Sequence, residues 1–211
     1  MDILRNEIVG VGRKLWERQY VDGNGGNISA RLENGNVVCT PSMCSKGELI
    51  PDDLVVVDMD GLQVSGARPR SSEILLHLAI YKTAPSANAV IHCHPPHALA
   101  FALTGEVPPA GMVPECEVFI GNVALVSYET PGTQAFADSV LPYVKGRSLL
   151  LLQNHGVVCW AETVTKAEWL VEIFDTYCRT IILASQLGKP LVPIPADKLD
   201  DLQQIRQKIC R

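Results

Sequence analysis

Two tight turns constrain the fold of this 211-residue chain more than any other feature. Asn34-Gly35 separates Asn27-Ile28-Ser29-Ala30-Arg31-Leu32 from Val37-Val38-Cys39-Thr40. Asn154-His155-Gly156 separates Leu149-Leu150-Leu151-Leu152 from Val157-Val158-Cys159-Trp160. Asparagine and glycine tolerate the positive φ that such turns require, so each pair of runs reads as a β-hairpin. Strands joined this closely must be antiparallel, because parallel neighbours need a crossover of a dozen or more residues.

Helical patterns are interspersed with these hairpins. Apolar spacing predicts helices over residues 2–20, 73–82 (started by Ser71-Ser72), 97–103, 133–144 and 163–187, the last stopped by Gly188-Lys189-Pro190. Further strands are expected over 54–58, 88–94 and 123–126, with a long irregular segment over 106–122 containing Pro108, Pro109 and Pro114. The combination predicts an α/β chain with a largely antiparallel or mixed sheet covered by helices. The length suits one domain, residues 1–211.

Composition excludes several classes. No run approaches 18 uncharged apolar residues, so no membrane span is expected, and the acidic start without an apolar core argues against export. A formal net charge of −5 without a Lys/Arg cluster argues against nucleic acid as partner. Seven cysteines, at 39, 44, 93, 116, 159, 178 and 210, form no Cys-x-x-Cys pair and fit a reducing cytoplasm.

The chemistry concentrates at His92-Cys93-His94, which follows the apolar run Ala89-Val90-Ile91 and is closed by Pro95-Pro96. Strand side chains alternate, so the two imidazoles share a face and suit a divalent transition metal such as zinc, while Cys93 turns into the core. His155, in the Asn-His-Gly turn, offers a third imidazole, and Gly156 beside it permits close backbone approach. Glu73 is the leading carboxylate, at the first turn of its helix, where the dipole favours negative charge. Ser71 and Ser72 beside it offer hydroxyls and free amides to an anion. His77, one turn on, either buttresses Glu73 or packs. The glycine-rich turn Asp22-Gly23-Asn24-Gly25-Gly26-Asn27 and the hydroxyls of Thr40-Pro41-Ser42 are weak anion signals singly, and gain weight if they converge.

Together these segments resemble the class II aldolase family, which includes fuculose-1-phosphate aldolase and ribulose-5-phosphate 4-epimerase. The resemblance rests on Gly-Gly-Asn-Ile-Ser at 25–29, Thr-Pro-Ser at 40–42, Ser-Ser-Glu at 71–73, His-Cys-His at 92–94, Thr-Pro-Gly-Thr at 130–133 and Asn-His-Gly at 154–156. It implies a three-layer α/β/α sandwich around a predominantly antiparallel central sheet, assembled as a homotetramer with sites at subunit boundaries. By resemblance His92, His94 and His155 are Zn2+ ligands, and Glu73 holds the metal at rest and then serves as acid/base. The substrate phosphate would lie against Gly26, Asn27, Ser42, Ser71 and Ser72.

The implied reaction is cleavage of a phosphorylated ketose to dihydroxyacetone phosphate and an aldehyde through a metal-stabilised enediolate. Epimerase, dehydratase and decarboxylase activities of the same family are the alternatives. The non-enzymatic adducin-like use of the fold lacks the metal ligands that this chain has. The chain departs from the family pattern at Met43, where aldolases carry glycine, and in having no loop tyrosine as proton donor. Val113-Pro114-Glu115-Cys116-Glu117 occupies that region, so Glu115 or Glu117 replaces the tyrosine, or both are solvated loop carboxylates.

Overall fold

The computed structural model describes residues 2–209, so Cys210 lies outside the described residues. In chain order the elements are α1 (Asp2–Glu17), β1 (Asn27–Arg31), β2 (Val37–Cys39), β3 (Val55–Val57), β4 (Gln63–Ser65), α2 (Ile74–Thr83), β5 (Ala89–Cys93) and α3 (Pro96–Thr104). There follow β6 (Ala124–Val126), α4 (Gln134–Ser139), α5 (Leu141–Val144), β7 (Leu149–Leu152), β8 (Gly156–Ala161), α6 (Val164–Ser185) and α7 (Ala196–Ile209). All eight strands form one sheet in the order β4-β3-β2-β1-β5-β8-β7-β6. Every pairing is antiparallel except β6 with β7. Both turns close hairpins as expected, β1–β2 and β7–β8.

Alternation along the strands divides the core in two. Ile28, Ala30, Ile91, Cys93, Leu149, Leu151, Val157 and Cys159 pack with Ile8, Leu15, Phe174 and Tyr177 of α1 and α6. Val37, Cys39, Val90, Leu150, Leu152, Val158 and Trp160 pack on the other face with Ile74, Leu78, Tyr81, Phe136 and Val144 of α2, α4 and α5. The central strands are buried on both faces, which accounts for the continuous runs Leu149–Leu152 and Val157–Trp160. The result is the three-layer α/β/α sandwich, and Cys93 lies in the α1/α6 layer as strand alternation requires.

Differences from the sequence reading have local causes. The first helix ends at Glu17, and Gln19 takes a φ of +60°. The helix expected over 133–144 divides at Val140, because Pro142 falls in the first turn of α5 and has no N–H for a continuous ladder. The 106–122 segment is mostly irregular and carries one π-helical turn, Cys116–Ile120. Two elements were not foreseen. β4 has three residues on the sheet edge, and α7 buries none of its side chains. β4 is too short to show a period, whereas α7 spaces Leu199, Leu202, Ile205 and Ile209 at helical intervals although none of them is buried.

Gly156 is where the second hairpin meets β5. A Cβ there would stand 2.4 Å from the Cys93 carbonyl oxygen and 2.8 Å from His94 Cδ2. Gly156→Ala is expected to cost about 2 kcal/mol or more and lower the melting temperature by roughly 4–8 °C. A melting temperature within one degree of the unsubstituted protein would show that the close approach does not constrain the fold.

Candidate metal centre

Three strands converge on one cluster. Asn27 of β1 pairs with His92 of β5, and His92 pairs in turn with Val158 of β8. His92 Nδ1 lies 2.8 Å from the Val157 carbonyl oxygen. A carbonyl only accepts, so Nδ1 carries the proton and Nε2 presents a lone pair. That Nε2 lies 3.1 Å from His94 Nε2 and 3.2 Å from His155 Nε2. Ligand atoms arranged tetrahedrally at zinc–nitrogen distances of about 2.0–2.1 Å stand about 3.3 Å apart, which matches these two separations, and ligand atoms of all three histidines lie within 4.8 Å of one another, so the group could hold one small divalent cation.

The carboxylate expected beside them is present. Glu73 Oε2 is 3.5 Å from His92 Nε2, and Oε1 is 3.5 Å from His155 Nε2. Burial pushes the pKa of Glu73 up, opposed by a hydrogen bond from Asn27 and the charge of Lys46. Burial also pulls the imidazoles down: His92 well below its usual value, His94 lowered, and His155 to about 4, with His94's charge adding to the burial effect on His155. All three are therefore neutral near pH 7, the form that ligates metal. His155 rests against Phe136, ring centroids 5.3 Å apart, and its buried Nδ1 has no partner among the described residues.

Behind Glu73 runs a hydrogen-bonded chain whose direction can be read. Asn27 Nδ2 donates to Glu73 Oε2 at 2.6 Å, so Asn27 Oδ1 must accept from His77 Nε2 at 2.5 Å. His77 Nδ1 then accepts from the Ser29 hydroxyl at 2.7 Å, and Ser29 accepts from Tyr81 at 2.9 Å. His77 thus buttresses Glu73 through Asn27 rather than by direct contact.

The expected anion loops also meet here. Ser42 Oγ donates to the Arg70 carbonyl at 2.9 Å and accepts from the Ser72 amide at 3.1 Å, while Ser71 Oγ accepts from the Glu73 amide at 3.2 Å. Gly26 takes a φ of +68°, and a Cβ on it would lie 2.4 Å from Val21 Cγ1 and 2.9 Å from the His92 carbonyl oxygen. Asn24 Nδ2 reaches the Met43 sulfur at 3.1 Å, which joins the glycine-rich turn to the Thr-Pro-Ser loop. By contrast, Glu115 and Glu117 make no hydrogen bond or ion pair with the histidines among the described residues. Glu117 accepts from the Gly111 amide at 2.6 Å.

Two residues escaped sequence reading. Lys46, only 2% exposed, donates to the carbonyls of Asn24 at 3.0 Å and Cys44 at 2.9 Å, and its charge acts on Glu73 and His94. Asp22 faces His94 and opposes the effect of burial on that ring. A single lysine and a turn aspartate carry no sequence signal for such roles. Both become visible only when the loops fold together.

Burial brings His77 down to about 3 and His155 to about 4, against about 6.5 unfolded. Between these limits the unfolded chain binds more protons than the folded one, so stability is lost as pH falls through that window. Denaturant unfolding of metal-free protein is expected to show lower stability at pH 5 than at pH 7. His77→Gln should shrink the difference. Equal stability at both pH values would contradict neutral burial of these rings.

Known proteins resemble this chain over most of its length. The family described as Class II Aldolase and Adducin N-terminal domain matches residues 6–182. A 5-deoxy-D-ribulose 1-phosphate aldolase of Bacillus thuringiensis serovar kurstaki is 34% identical over 200 residues, covering 94% of this chain and 92% of the relative. A 3-oxo-tetronate 4-phosphate decarboxylase of Cupriavidus necator is 35% identical over 173 residues, covering 80% and 79%. A solved L-fuculose 1-phosphate aldolase superposes with a TM-score of 0.90 at 30% identity, covering 100% of this chain and 98% of that one. With a match across most of its length and relatives above 30% identity, the chain belongs to the class II aldolase and adducin N-terminal domain family.

Proposed function

We propose that the protein is a zinc-dependent aldolase that cleaves a phosphorylated ketose to dihydroxyacetone phosphate and an aldehyde. The observation that carries this reading is the meeting of three imidazole Nε2 atoms beside a buried, hydrogen-bonded carboxylate. His92, His94, His155 and Glu73 would hold the cation, which supplies Lewis-acid polarisation of a ketose carbonyl and its adjacent hydroxyl. Gly26, Asn27, Ser42, Ser71 and Ser72 would receive the phosphate, since their loops meet beside Glu73.

The residues divide the proton work. Breaking the carbon–carbon bond needs a base for the hydroxyl that becomes the aldehyde, and an acid for the carbon that retains the electron pair. Glu73, raised by burial and aimed by Asn27, exchanges the proton at that carbon. Of the two loop acids, Glu115 is the better base for the hydroxyl, because Glu117 is committed to the Gly111 amide. Assembly as a homotetramer would bring that loop to a neighbouring subunit's site. A cytoplasmic setting is supported by six free thiols among the described residues. No described helix is long and apolar enough to cross a membrane.

Decarboxylation of a sugar-acid phosphate is the second reading, favoured by the 35% identity to the Cupriavidus enzyme. Purified protein is expected to contain about one zinc per chain by elemental analysis, and His94→Ala to lose it. Metal content unchanged by that substitution would remove the metal assignment. A screen of phosphorylated ketoses should release aldehyde, with Glu73→Gln and Glu115→Gln slowing turnover by about 10²-fold or more and Glu117→Gln by much less. Carbon dioxide release without aldehyde would replace the aldolase reading by the decarboxylase one.

A further inference from the structure

Among the described residues Lys46 is the one buried cation at the centre, and Glu73 acts on its charge through space without forming an ion pair with it. The side chain is 2% exposed, yet its two acceptors are neutral carbonyls, and no carboxylate forms an ion pair with it among the described residues. An ammonium has three protons to donate, so one remains uncommitted. A buried charge without a hydrogen-bonded opposite partner is costly, and an anion brought beside it would offset part of that cost.

The fold places this lysine deliberately. A Cβ on Gly12 of α1 would stand 3.1 Å from the Lys46 carbonyl oxygen, and one on Gly47 would stand 2.7 Å from the Trp16 ring, so Lys46-Gly47 is seated tightly on α1. From there the ammonium ties together the glycine-rich turn, at Asn24, and the loop after Thr-Pro-Ser, at Cys44. Those two loops carry Gly26, Asn27 and Ser42.

We propose that Lys46 is a positioning residue for the anion site: it holds the two loops in register, and its unpaired charge gives the site its affinity for a dianionic phosphate monoester. This rests on the sugar-phosphate reading above and adds to it a group outside the loop hydroxyls and amides. At the position where aldolases of this family carry glycine, this chain has Met43, 80% exposed. Lys46 fixes the loop on the far side of that residue.

The test is calorimetric titration of the metal-loaded protein with inorganic phosphate. Lys46→Met is expected to weaken phosphate binding at least tenfold while metal content stays near that of the unsubstituted protein. Lys46→Gln retains an N–H for the carbonyls but not the charge, and should weaken binding similarly. Lys46→Arg should restore part of it. In turnover assays the loss should fall on KM more than on kcat. Phosphate bound equally well by the unsubstituted, Met and Gln proteins overturns the role of Lys46 alone. If Met weakens binding and Gln does not, the charge is not the source of affinity and the proposal also fails. If the unsubstituted protein binds no phosphate, the sugar-phosphate reading falls with it.

Discussion

The register between β1 and β5 is the constraint on which the centre depends. Asn27 stands opposite His92 across that pair, so both side chains leave the sheet on the α2 side, within reach of Glu73. A slip of one residue would send Ile28 toward the three histidines and Asn27 into the α1/α6 layer. On its other edge β5 pairs with β8, whose Val157 carbonyl fixes the proton of His92 on Nδ1. Two neighbouring strands thus settle both what His92 faces and which nitrogen it offers.

Burying this many ionisable groups is expensive, and the structure meets the cost unevenly. Glu73, Asn27, His77, Ser29 and Tyr81 satisfy one another in a single chain of hydrogen bonds. Some leftover capacity lies at the centre: His155 Nδ1, the third proton of Lys46, and the three gathered imidazoles. Glu168 of α6 makes the contrast. It too is fully buried with both oxygens lacking hydrogen bonds, and burial and neighbouring Glu172 raise its pKa against the opposing charges of Lys14 at 3.6 Å and Arg18 at 3.9 Å, both from the α1 end of the chain. That arrangement fastens the N-terminal segment to α6.

Much of this was legible in the chain because the signals were local. Asn34-Gly35 and Gly156 encode turns, alternation sets His92 and His94 on one face with Cys93 opposite, and Glu73 sits at a helix start. What was not legible depends on contacts distant in sequence. Lys46 gains meaning only from Asn24 and from α1, and α7 packs near the Cys116–Ile120 turn, with Arg206 against Gly121, while burying no side chain of its own. The apolar residues of α7, Leu199, Leu202, Ile205 and Ile209, are spaced helically, but none of them enters the core.

The seam between the sheet and α2 shows how a pattern can be read correctly and still mislead. Asn27-Ile28-Ser29-Ala30 alternates polar with apolar, the usual mark of a strand with one face in water. Here all four residues are buried, and the polar face meets Glu73, His77 and Tyr81, which recur at intervals of four along α2. Each pattern alone fits an ordinary amphipathic element. Only their complementarity, a polar strand face against a polar helix stripe, marks a buried network rather than a surface. The helical spacing puts the three groups on one line, and the strand period of two places Asn27 and Ser29 where that line passes. Glu73 is therefore aimed by the meeting of two secondary-structure periods. Because that aim is set by backbone geometry on both sides, the carboxylate is held beside the three histidines before any ligand arrives.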